Sequence, residues 1–256
     1  MYRIRSTVPL SSRKQRVKLP RLAMSALSAS LATLSLVAIA PSFSISALAQ
    51  IYRPPNRGTP ASTEGAGTRG SSCVALSEKN KLKPLIPTGN IGLTVSEHPT
   101  FFGYIPKSDA KAGEFVLRDQ NNQLIYRTRF ALPSQAGIVS ISVPPTRSLA
   151  LGKMYQWSFV LVCDLSDRSN NEISPPAWIE RIQPSQTLTE RIKNATPETL
   201  PAVYADAGIW YDALASRVKL FPSQPQAQWQ QNWEQLLTTA GLQAFISEPL
   251  VEQSSR

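Results

Sequence analysis

The stretch "YADAGIWYDALA", residues 204–215, contains three aromatic residues and two aspartates within twelve positions. Such a density of rings and carboxylates is typical of a pocket that holds a ligand between stacked side chains. At 100° per residue, however, the apolar side chains from Val203 to Phe221 share one broad helical face. Asp206 and Asp212 fall about 120° apart on that helix, so they cannot act together on one substrate. The stretch therefore predicts mainly a buried helix face, with a ring-lined pocket as the alternative.

His98, in "SEHPTFFGYIP", is the only histidine of the chain. It could serve as a general base or a metal ligand, but a metal site needs several ligands, so we favour a turn histidine between two strands. The loop "CDLSDRSNNE" brings Asp164, Asp167 and Glu172 together, and their oxygens are of the type that calcium takes. Because their spacing does not fit an EF-hand, we expect a polar hairpin tip without a metal.

Motifs of the common enzyme classes do not occur in the chain. It contains no G-x-S-x-G, no phosphate-binding glycine loop and no H-E-x-x-H. Paired carboxylates remain an open alternative, because two acids can meet in space from anywhere in the chain. We therefore favour a protein without catalytic residues and without a cofactor.

Five side chains form the candidate binding surface, namely His98, Tyr104, Arg118, Arg127 and Trp178. The two arginines are predicted to be diagonal neighbours on the outward side of a hairpin, where they could meet a partner protein or an anionic glycan. A solvated sheet face is the alternative for them. The two aromatic residues are candidates for contact with a glycan.

The hairpin is predicted from "EFVLRDQNNQLIYRTRF", in which two asparagines separate two alternating runs. Asparagine tolerates a positive φ, so this pair is expected to form a two-residue turn. The register that follows places Leu117 opposite Tyr126 on the inward side and Glu114 opposite Arg129 on the outward side. The predicted strands of the chain are 91–96, 100–105, 114–119, 124–131, 137–143, 154–163 and 177–182.

The amino-terminal region has the composition of a targeting segment. Seven basic residues and no acidic one precede Leu22, and an uncharged stretch follows up to the triplet ALA at 47–49. Residues 1–49 are therefore predicted to be a secretory signal peptide, cut before Gln50. An uncleaved anchor is the alternative, because residues 22–40 are long enough to span a membrane and would then make the only membrane contact.

Removal of this segment changes the charge of the chain. The formal charge of +10 becomes +3, with 20 basic against 17 acidic residues. A balance this small does not indicate a polyanionic partner, so we expect no nucleic-acid binding.

Cys73 and Cys163 are the only cysteines. In an exported and therefore oxidising context they are predicted to form a disulfide. The strand "MYQWSFVLVC" directs Cys163 and the core residue Trp157 to the same inward face. A reactive thiol is the alternative, although nothing nearby supplies a clear base.

Composition divides the rest of the chain into three parts. Residues 50–72 are rich in Pro, Gly, Ser and Thr, which predicts a flexible linker. Short β-branched and aromatic runs in 73–184 predict an antiparallel, Ig-like β-sandwich. The apolar period then becomes 3.6, so 185–250 is predicted to be a helical appendage packed on the sandwich. Within it, helices starting near Val203 and Gln226 form an antiparallel hairpin, and the fold class is α+β, mainly β.

Several separated blocks resemble one known family. The segments "GLTVSEHPTFFGYIP", "EFVLRDQNNQLIYRTRF", "LGKMYQWSFVLVCD" and "YADAGIWYDAL", in this order, are similar to the cyanobacterial family called domain of unknown function 928. The similarity covers about residues 70–250. The family has no established activity that could be carried over, so the resemblance implies lineage and an exported protein of a cyanobacterial envelope.

These observations favour an exported protein of the periplasm or cell envelope that acts as a non-enzymatic interaction module. A protein or a polysaccharide of the envelope is the expected partner. The alternative is a glycan-binding protein or a glycan-active hydrolase of the envelope.

Overall fold

A computed structural model of the chain describes residues 50–55, 73–74, 81–89 and 91–251. All of these residues belong to one compact unit. The predicted signal peptide, 1–49, and residues 56–72 of the predicted linker lie outside the described residues. In the part of the chain that the structure describes, none of the helices has both the length and the apolar character needed to cross a membrane.

Short strands fill the first part of the fold, and helices follow them. The strands are β1 (Lys83–Pro84), β2 (Gly92–Thr94), β3 (Thr100–Ile105), β4 (Ala112–Asp119), β5 (Leu124–Phe130), β6 (Gly137–Ser142), β7 (Met154–Val162), β8 (Glu172–Ile173) and β9 (Ala177–Arg181). The helices are α1 (Gln186–Asn194), α2 (Leu200–Asp206), α3 (Trp210–Lys219) and α4 (Gln226–Thr239). Each of the seven strands predicted from alternation occurs, with ends that differ by at most two residues.

The strands form two sheets. The smaller sheet has the order β1-β3-β6 and the larger has the order β2-β9-β7-β4-β5, with β8 also paired to β7. The prediction of purely antiparallel pairing is wrong at one edge, because β2 runs parallel to β9. Parallel pairing needs a long connection, and here most of both sheets separates the two strands in sequence. The fold is mixed, with about 29% strand and 26% helix, and so is less dominated by strands than predicted.

Aromatic side chains from both sheets share one core. Phe101 of β3 lies 4.9 Å from Phe115 of β4 and 5.1 Å from Trp157 of β7, measured between ring centroids. Gly103 has no side chain because a Cβ at this position would overlap the ring of Phe159. Alternation along each strand therefore directs these rings inward, and the glycine lets β3 come close to β7.

The hairpin of β4 and β5 has the predicted register. Leu117 lies opposite Tyr126, and Glu114 lies opposite Arg129. The predicted two-residue turn is wrong. The register shifts after Leu117, β4 ends at Asp119, and β5 begins at Leu124. The Asp119 carboxylate accepts hydrogen bonds from two backbone N–H groups of the turn, which stabilises the longer connection.

The helix predicted from Val203 to Phe221 is divided into α2 and α3. Gly208 lies between them with a φ of +73°, a conformation that ends a helix and favours glycine. A Cβ at Gly208 would also come within 2.8 Å of the carbonyl oxygen of Arg53. A continuous helix predicts that Phe221 is buried, but this side chain is 51% exposed.

The second predicted helix is α4, and it packs against α3. Trp229 and Trp233 stack with ring centroids 5.1 Å apart, and both are buried together with Leu236. Gly241 follows the C-cap Ala240 of α4 with a φ of +76°, a conformation that ends a helix and favours glycine. The chain then returns to the smaller sheet.

Residues 50–55 lie against the helices, which differs from the linker predicted for this part of the chain. Tyr52 is buried, and its ring lies 5.1 Å from that of Trp210 in an edge-on contact. The backbone N–H of Tyr52 donates to the hydroxyl of Thr239, and that of Arg53 donates to the carbonyl of Ala205. This short segment therefore covers the junction of α2, α3 and α4.

Cys73 and Cys163 are joined by a disulfide, which confirms the predicted pairing. The bond links positions 90 residues apart in sequence. Close to it, the amide of Asp109 donates to the carbonyl of Cys73, and the side chain of Asn171 accepts from the amide of Cys163. The disulfide therefore connects the start of the strand region to the loop that follows β7.

Replacement of both cysteines, Cys73→Ser with Cys163→Ser, is expected to lower the free energy of unfolding. Without the bond, the unfolded chain regains the freedom of a long loop, and loss of such bonds in small domains costs about 2–5 kcal/mol. Chemical denaturation of the oxidised protein and the variant measures the difference. Reduction should lower the stability of the native protein to that of the variant and leave the variant unchanged. Two free thiols in the oxidised, denatured protein would contradict the prediction.

Candidate functional site

A half-open pocket lies where the segment between β2 and β3 meets α2 and α3. Its volume is about 170 Å³. Pockets for drug-sized ligands range from about 300 to 1,000 Å³, so this one has room for a single small group. The pocket is lined by Thr94, Ser96, His98, Pro99, Thr100, Leu200, Tyr204, Tyr211, Asp212, Ala215, Ser216 and Lys219.

Asp212 supplies the only carboxylate among the lining residues. It lies in the first turn of α3, where the helix dipole favours a negative charge. Its Oδ2 accepts hydrogen bonds from the hydroxyl of Thr94 at 2.7 Å and from the amide of Val95 at 3.2 Å. Withdrawal from water nevertheless raises the pKa of Asp212 to about 6, because it outweighs these bonds and the nearby charge of Lys219. The pocket therefore changes its charge close to neutral pH.

His98 is held in one tautomer by a backbone group. Its Nδ1 lies 2.7 Å from the carbonyl oxygen of Arg147. A carbonyl can only accept, so Nδ1 carries the hydrogen and Nε2 of the neutral ring is an acceptor. His98 lies between β2 and β3, in the position that the sequence indicated, and it contributes this ring to the pocket wall.

Hydroxyl groups and a lysine complete the polar lining. The Thr94 hydroxyl accepts from the amide of Ser96, and the Ser96 hydroxyl accepts from the amide of His98. Burial and the charge of Asp212 raise the pKa of Tyr204 to about 12, so its hydroxyl stays protonated as a donor. Together with Lys219, these groups give the pocket both donors and acceptors. This set suits a ligand that carries hydroxyl, amide or amine groups.

A buried hydrogen-bond chain fixes α3 behind the pocket. The indole N–H of Trp157 donates to the hydroxyl of Tyr211 at 2.6 Å, and that hydroxyl donates to the carbonyl of Trp178 at 3.1 Å. Gly92 makes room for the Tyr211 ring, which a Cβ there would overlap. Because Asp212 follows Tyr211 directly, these contacts also set the position of the carboxylate.

The structure separates the five residues of the candidate binding surface. His98 lines the pocket. Trp178 lies opposite Gln156, and Arg127 lies opposite Val116, on the outward side of the larger sheet. Arg118 donates to the carbonyl of Asn122 and so belongs to the turn of the hairpin.

Tyr104 is the one residue of this set that the structure removes from the surface. It is 6% exposed, and its ring lies 5.4 Å from that of Phe245. The alternation of β3 directs it toward the segment that follows α4, which the sequence could not place. Tyr104 therefore packs in the interior and does not form part of an exposed surface.

The acidic loop after β7 satisfies its own carboxylates. Asp164 accepts from the backbone and hydroxyl of Ser166, and Asp167 accepts from the backbone and hydroxyl of Ser169. These hydrogen bonds lower the pKa of both aspartates. Glu172 lies in β8, opposite Leu161. Within the described residues, no three acidic, histidine or cysteine side chains are grouped as metal ligands.

Several polar contacts of Asp212 and Glu114 escape sequence reasoning, most clearly where the two members are far apart in the chain. The helical pattern relates Asp212 only to Asp206, whereas its partner Thr94 lies 118 residues earlier. The predicted register pairs Glu114 with Arg129, but Arg127 and Arg168 also bind it. The outward alternation of β4 and β5 indicated the contact with Arg129, and no local signal indicated the contact with Arg168.

A further buried charge, Arg217 of α3, has no acceptor within the described structure. Its side chain is fully buried, and none of its three guanidinium nitrogens forms a hydrogen bond. Burial lowers the pKa of Arg217 to about 10. The buried face of the helix thus contains a charged residue, although the charge of Arg217 predicts that it is exposed to solvent.

The fold and the pocket define a mixed domain of helices and sheets with a small polar pocket that is lined by a half-buried aspartate. A model of the family described as Domain of Unknown Function (DUF928) matches residues 64–250, and the chain belongs to this family. Every strand and α-helix of the structure lies within the matched residues. None of the curated proteins matches the chain.

The variant Asp212→Asn is expected to change how stability depends on pH. Folded Asp212 keeps its proton up to about pH 6, whereas the unfolded carboxyl loses it near pH 4. The native protein should therefore lose about 2–3 kcal/mol relative to the variant as pH rises from 4 to 7. Chemical denaturation of both proteins at several pH values measures this difference.

Asp206→Asn is the matched control, because Asp206 belongs to the same stretch but pairs with Arg53 and Arg191. A difference of the same size in this control, or a flat difference for Asp212→Asn, would contradict the assignment.

Proposed function

We propose that this protein is an exported, non-enzymatic interaction module of a cyanobacterial cell envelope, and that its pocket receives one polar group of a partner. The basic and apolar amino-terminal segment supports export. A disulfide between Cys73 and Cys163 is compatible with an oxidising compartment. In this proposal the two sheets form an Ig-like sandwich, an architecture that carries many different binding sites.

The arrangement around Asp212 is the observation that carries the proposal. The carboxylate is held by Thr94 and Val95, and the ring of His98 is held by a backbone carbonyl. Polar groups that are fixed before binding lose little conformational freedom when a ligand arrives. The volume of about 170 Å³ limits that ligand to one small group. A polar side chain at the surface of a protein partner is small enough for this volume and can bind to these fixed polar groups.

A glycan ligand is the second candidate, and the mixture of donors and acceptors in the pocket favours it. The ring nitrogen of His98 and the carboxylate of Asp212 accept, while Tyr204 and Lys219 donate. Neighbouring hydroxyl groups of a sugar both donate and accept, and therefore match such a set. In this case the pocket holds a single sugar unit of an envelope polysaccharide. A glycan-active hydrolase would need a second carboxylate, which would have to come from outside the lining residues.

Titration with two small probes, followed by NMR, tests the pocket. Propylammonium mimics a lysine side chain, and the methyl glycoside of N-acetylglucosamine represents one sugar unit. Binding should shift the amide resonances of the segment Thr94–Thr100 and of the first turn of α3. Asp212→Asn should weaken binding of propylammonium at least about tenfold, because a charge-assisted hydrogen bond contributes about 1.5–3 kcal/mol. The same probe should bind more weakly at pH 5 than at pH 7.5, because Asp212 is protonated and uncharged at pH 5.

The two probes separate the two candidates. Shifts caused by propylammonium support recognition of a protein side chain, and shifts caused only by the sugar support the glycan alternative. Asp206→Asn serves again as the control and should leave both titrations unchanged. If neither probe shifts the pocket resonances, or if Asp212→Asn has no effect, the pocket is not the binding site.

A further inference from the structure

The strand β5 forms an open edge of the larger sheet. It pairs with β4 on one side, and it is the last strand in the order β2-β9-β7-β4-β5. On its other side, no backbone hydrogen bond joins Leu124–Phe130 to the described residues. Its residues are half-buried or exposed along the whole strand. Such an edge presents unpaired N–H and C=O groups to which another strand can bind.

Beside this edge, three arginines surround one buried glutamate. Oε1 of Glu114 lies 3.3 Å from Nε of Arg127 and 2.9 Å from a terminal nitrogen of Arg168. Its Oε2 lies 3.4 Å from Nε of Arg129. The glutamate side chain is 1% exposed, whereas the three arginine side chains are 37%, 55% and 55% exposed. The cluster therefore has a net charge of +2 that faces solvent.

The glutamate fixes the direction of the guanidinium groups. Each guanidinium has five N–H donors, and only one or two of them face the carboxylate of Glu114. Among the described residues, Glu114 is the only side chain that forms an ion pair with Arg127 or Arg129, so the remaining donors of both can bind the paired oxygens of an external carboxylate. Arg127 and Arg129 are two residues apart on β5, so their Cα atoms lie about 7 Å apart on the same side of the strand. Carboxylates at alternate positions of an adjacent extended chain have the same spacing.

We propose that β5 binds an extended acidic segment of a partner protein as an additional strand of the sheet. The backbone of that segment pairs with the open edge, and its acidic side chains at alternate positions meet Arg127 and Arg129. Addition of a strand at a sheet edge is a common way of recognising a peptide, in which the backbone gives affinity and alternate side chains give specificity. This inference rests on the proposed interaction function and adds to the pocket a second surface for a protein partner.

Charge argues against a second copy of this chain as the occupant. Two β5 strands paired at their edges would place the arginines of one copy beside those of the other, and like charges across strands are destabilising. Charged residues on an edge can also simply prevent aggregation. That role does not require a buried carboxylate that holds the arginines, and here Glu114 is buried in contact with all three.

Binding of a synthetic peptide tests the proposal. The probe is acetyl-Thr-Glu-Val-Glu-Val-Glu-Val-Thr-amide, and fluorescence polarisation of a labelled form gives its affinity for the protein. A peptide with the same composition but with its glutamates in one block is the sequence control. The alternating peptide should bind at least tenfold more tightly than the block peptide.

N-methylated peptides test the backbone pairing without any change to the protein. Alternate N–H groups of a strand point to opposite sides, so one set faces β5 and the other faces solvent. Methylation of one set should reduce the affinity at least tenfold, and methylation of the other set should leave it nearly unchanged. Equal binding of both methylated peptides would show that charge alone attracts the probe and would overturn strand addition.

The double variant Arg127→Gln with Arg129→Gln should weaken binding of the peptide at least tenfold. Arg53→Gln with Arg191→Gln is the matched control, because it removes the same charge from arginines that pair with Asp206 elsewhere. Equal losses in the two double variants would overturn the proposal. Even if the loss of Arg127 and Arg129 unfolds the protein, the methylated peptides still decide the question.

Two further measurements distinguish a protein segment at β5 from a glycan and from binding in the pocket. Polygalacturonate that binds more tightly than the peptide, and with the same dependence on Arg127 and Arg129, would overturn the assignment to a protein and indicate an anionic glycan. Asp212→Asn should leave peptide binding unchanged. Failure of the peptide to bind would therefore refute this inference while leaving the result for the pocket intact.

Discussion

The hydroxyl of Tyr211 is the contact that joins the helices to the larger sheet. It accepts from the indole of Trp157 on β7 and donates to the backbone of Trp178 on β9. Buried polar groups must find partners, so the tyrosine and the tryptophan each require the position of the other. The same arrangement requires glycine at position 92, because any side chain there would overlap the ring of Tyr211. The position of Asp212 in the pocket wall follows from this one constraint.

Sequence reasoning succeeded for the strands because their pattern is local. Alternation along a strand is a local signal, and it placed the strands to within two residues and correctly paired Leu117 with Tyr126. The inward direction of Trp157 follows from the same period. The pairing of Cys73 with Cys163 could be predicted because the chain has no other cysteine.

Features that depend on distant parts of the chain could not be predicted in this way. The helical period continued through Gly208, but the positive φ of this residue ends α2, and the Arg53 carbonyl, a distant part of the chain, leaves no room there for a Cβ. Asp212 fell on the weakly polar border of a predicted helix, and its partner in β2 is invisible to any local pattern. Arg217 is buried although its charge predicts exposure. The pocket is built from such long-range contacts, so sequence reasoning singled out His98 and the stretch 204–215 but did not predict that they meet.

The two candidate surfaces lie at opposite edges of one sheet. The pocket begins at the end of β2, and the arginine cluster lies beside β5, at the other end of the strand order. The edge at β2 is covered by α3, whereas within the described residues no further strand pairs with β5. One edge therefore offers a small half-open pocket with fixed polar groups, and the other offers an extended backbone with a positive face. A protein partner that binds at one of these two surfaces does not block the other surface.

Tyr52 has a consequence for where this domain begins. The family match starts at residue 64, but the ring of Tyr52 covers Trp210, and its backbone binds Thr239. A chain that began at the family boundary would expose the tryptophan and leave the threonine without this partner. The family match is thus shorter than the part of the chain that is needed to bury the core between the helices. Recombinant versions of the domain need to start at or before Gln50, whose amide binds Gln235 of α4.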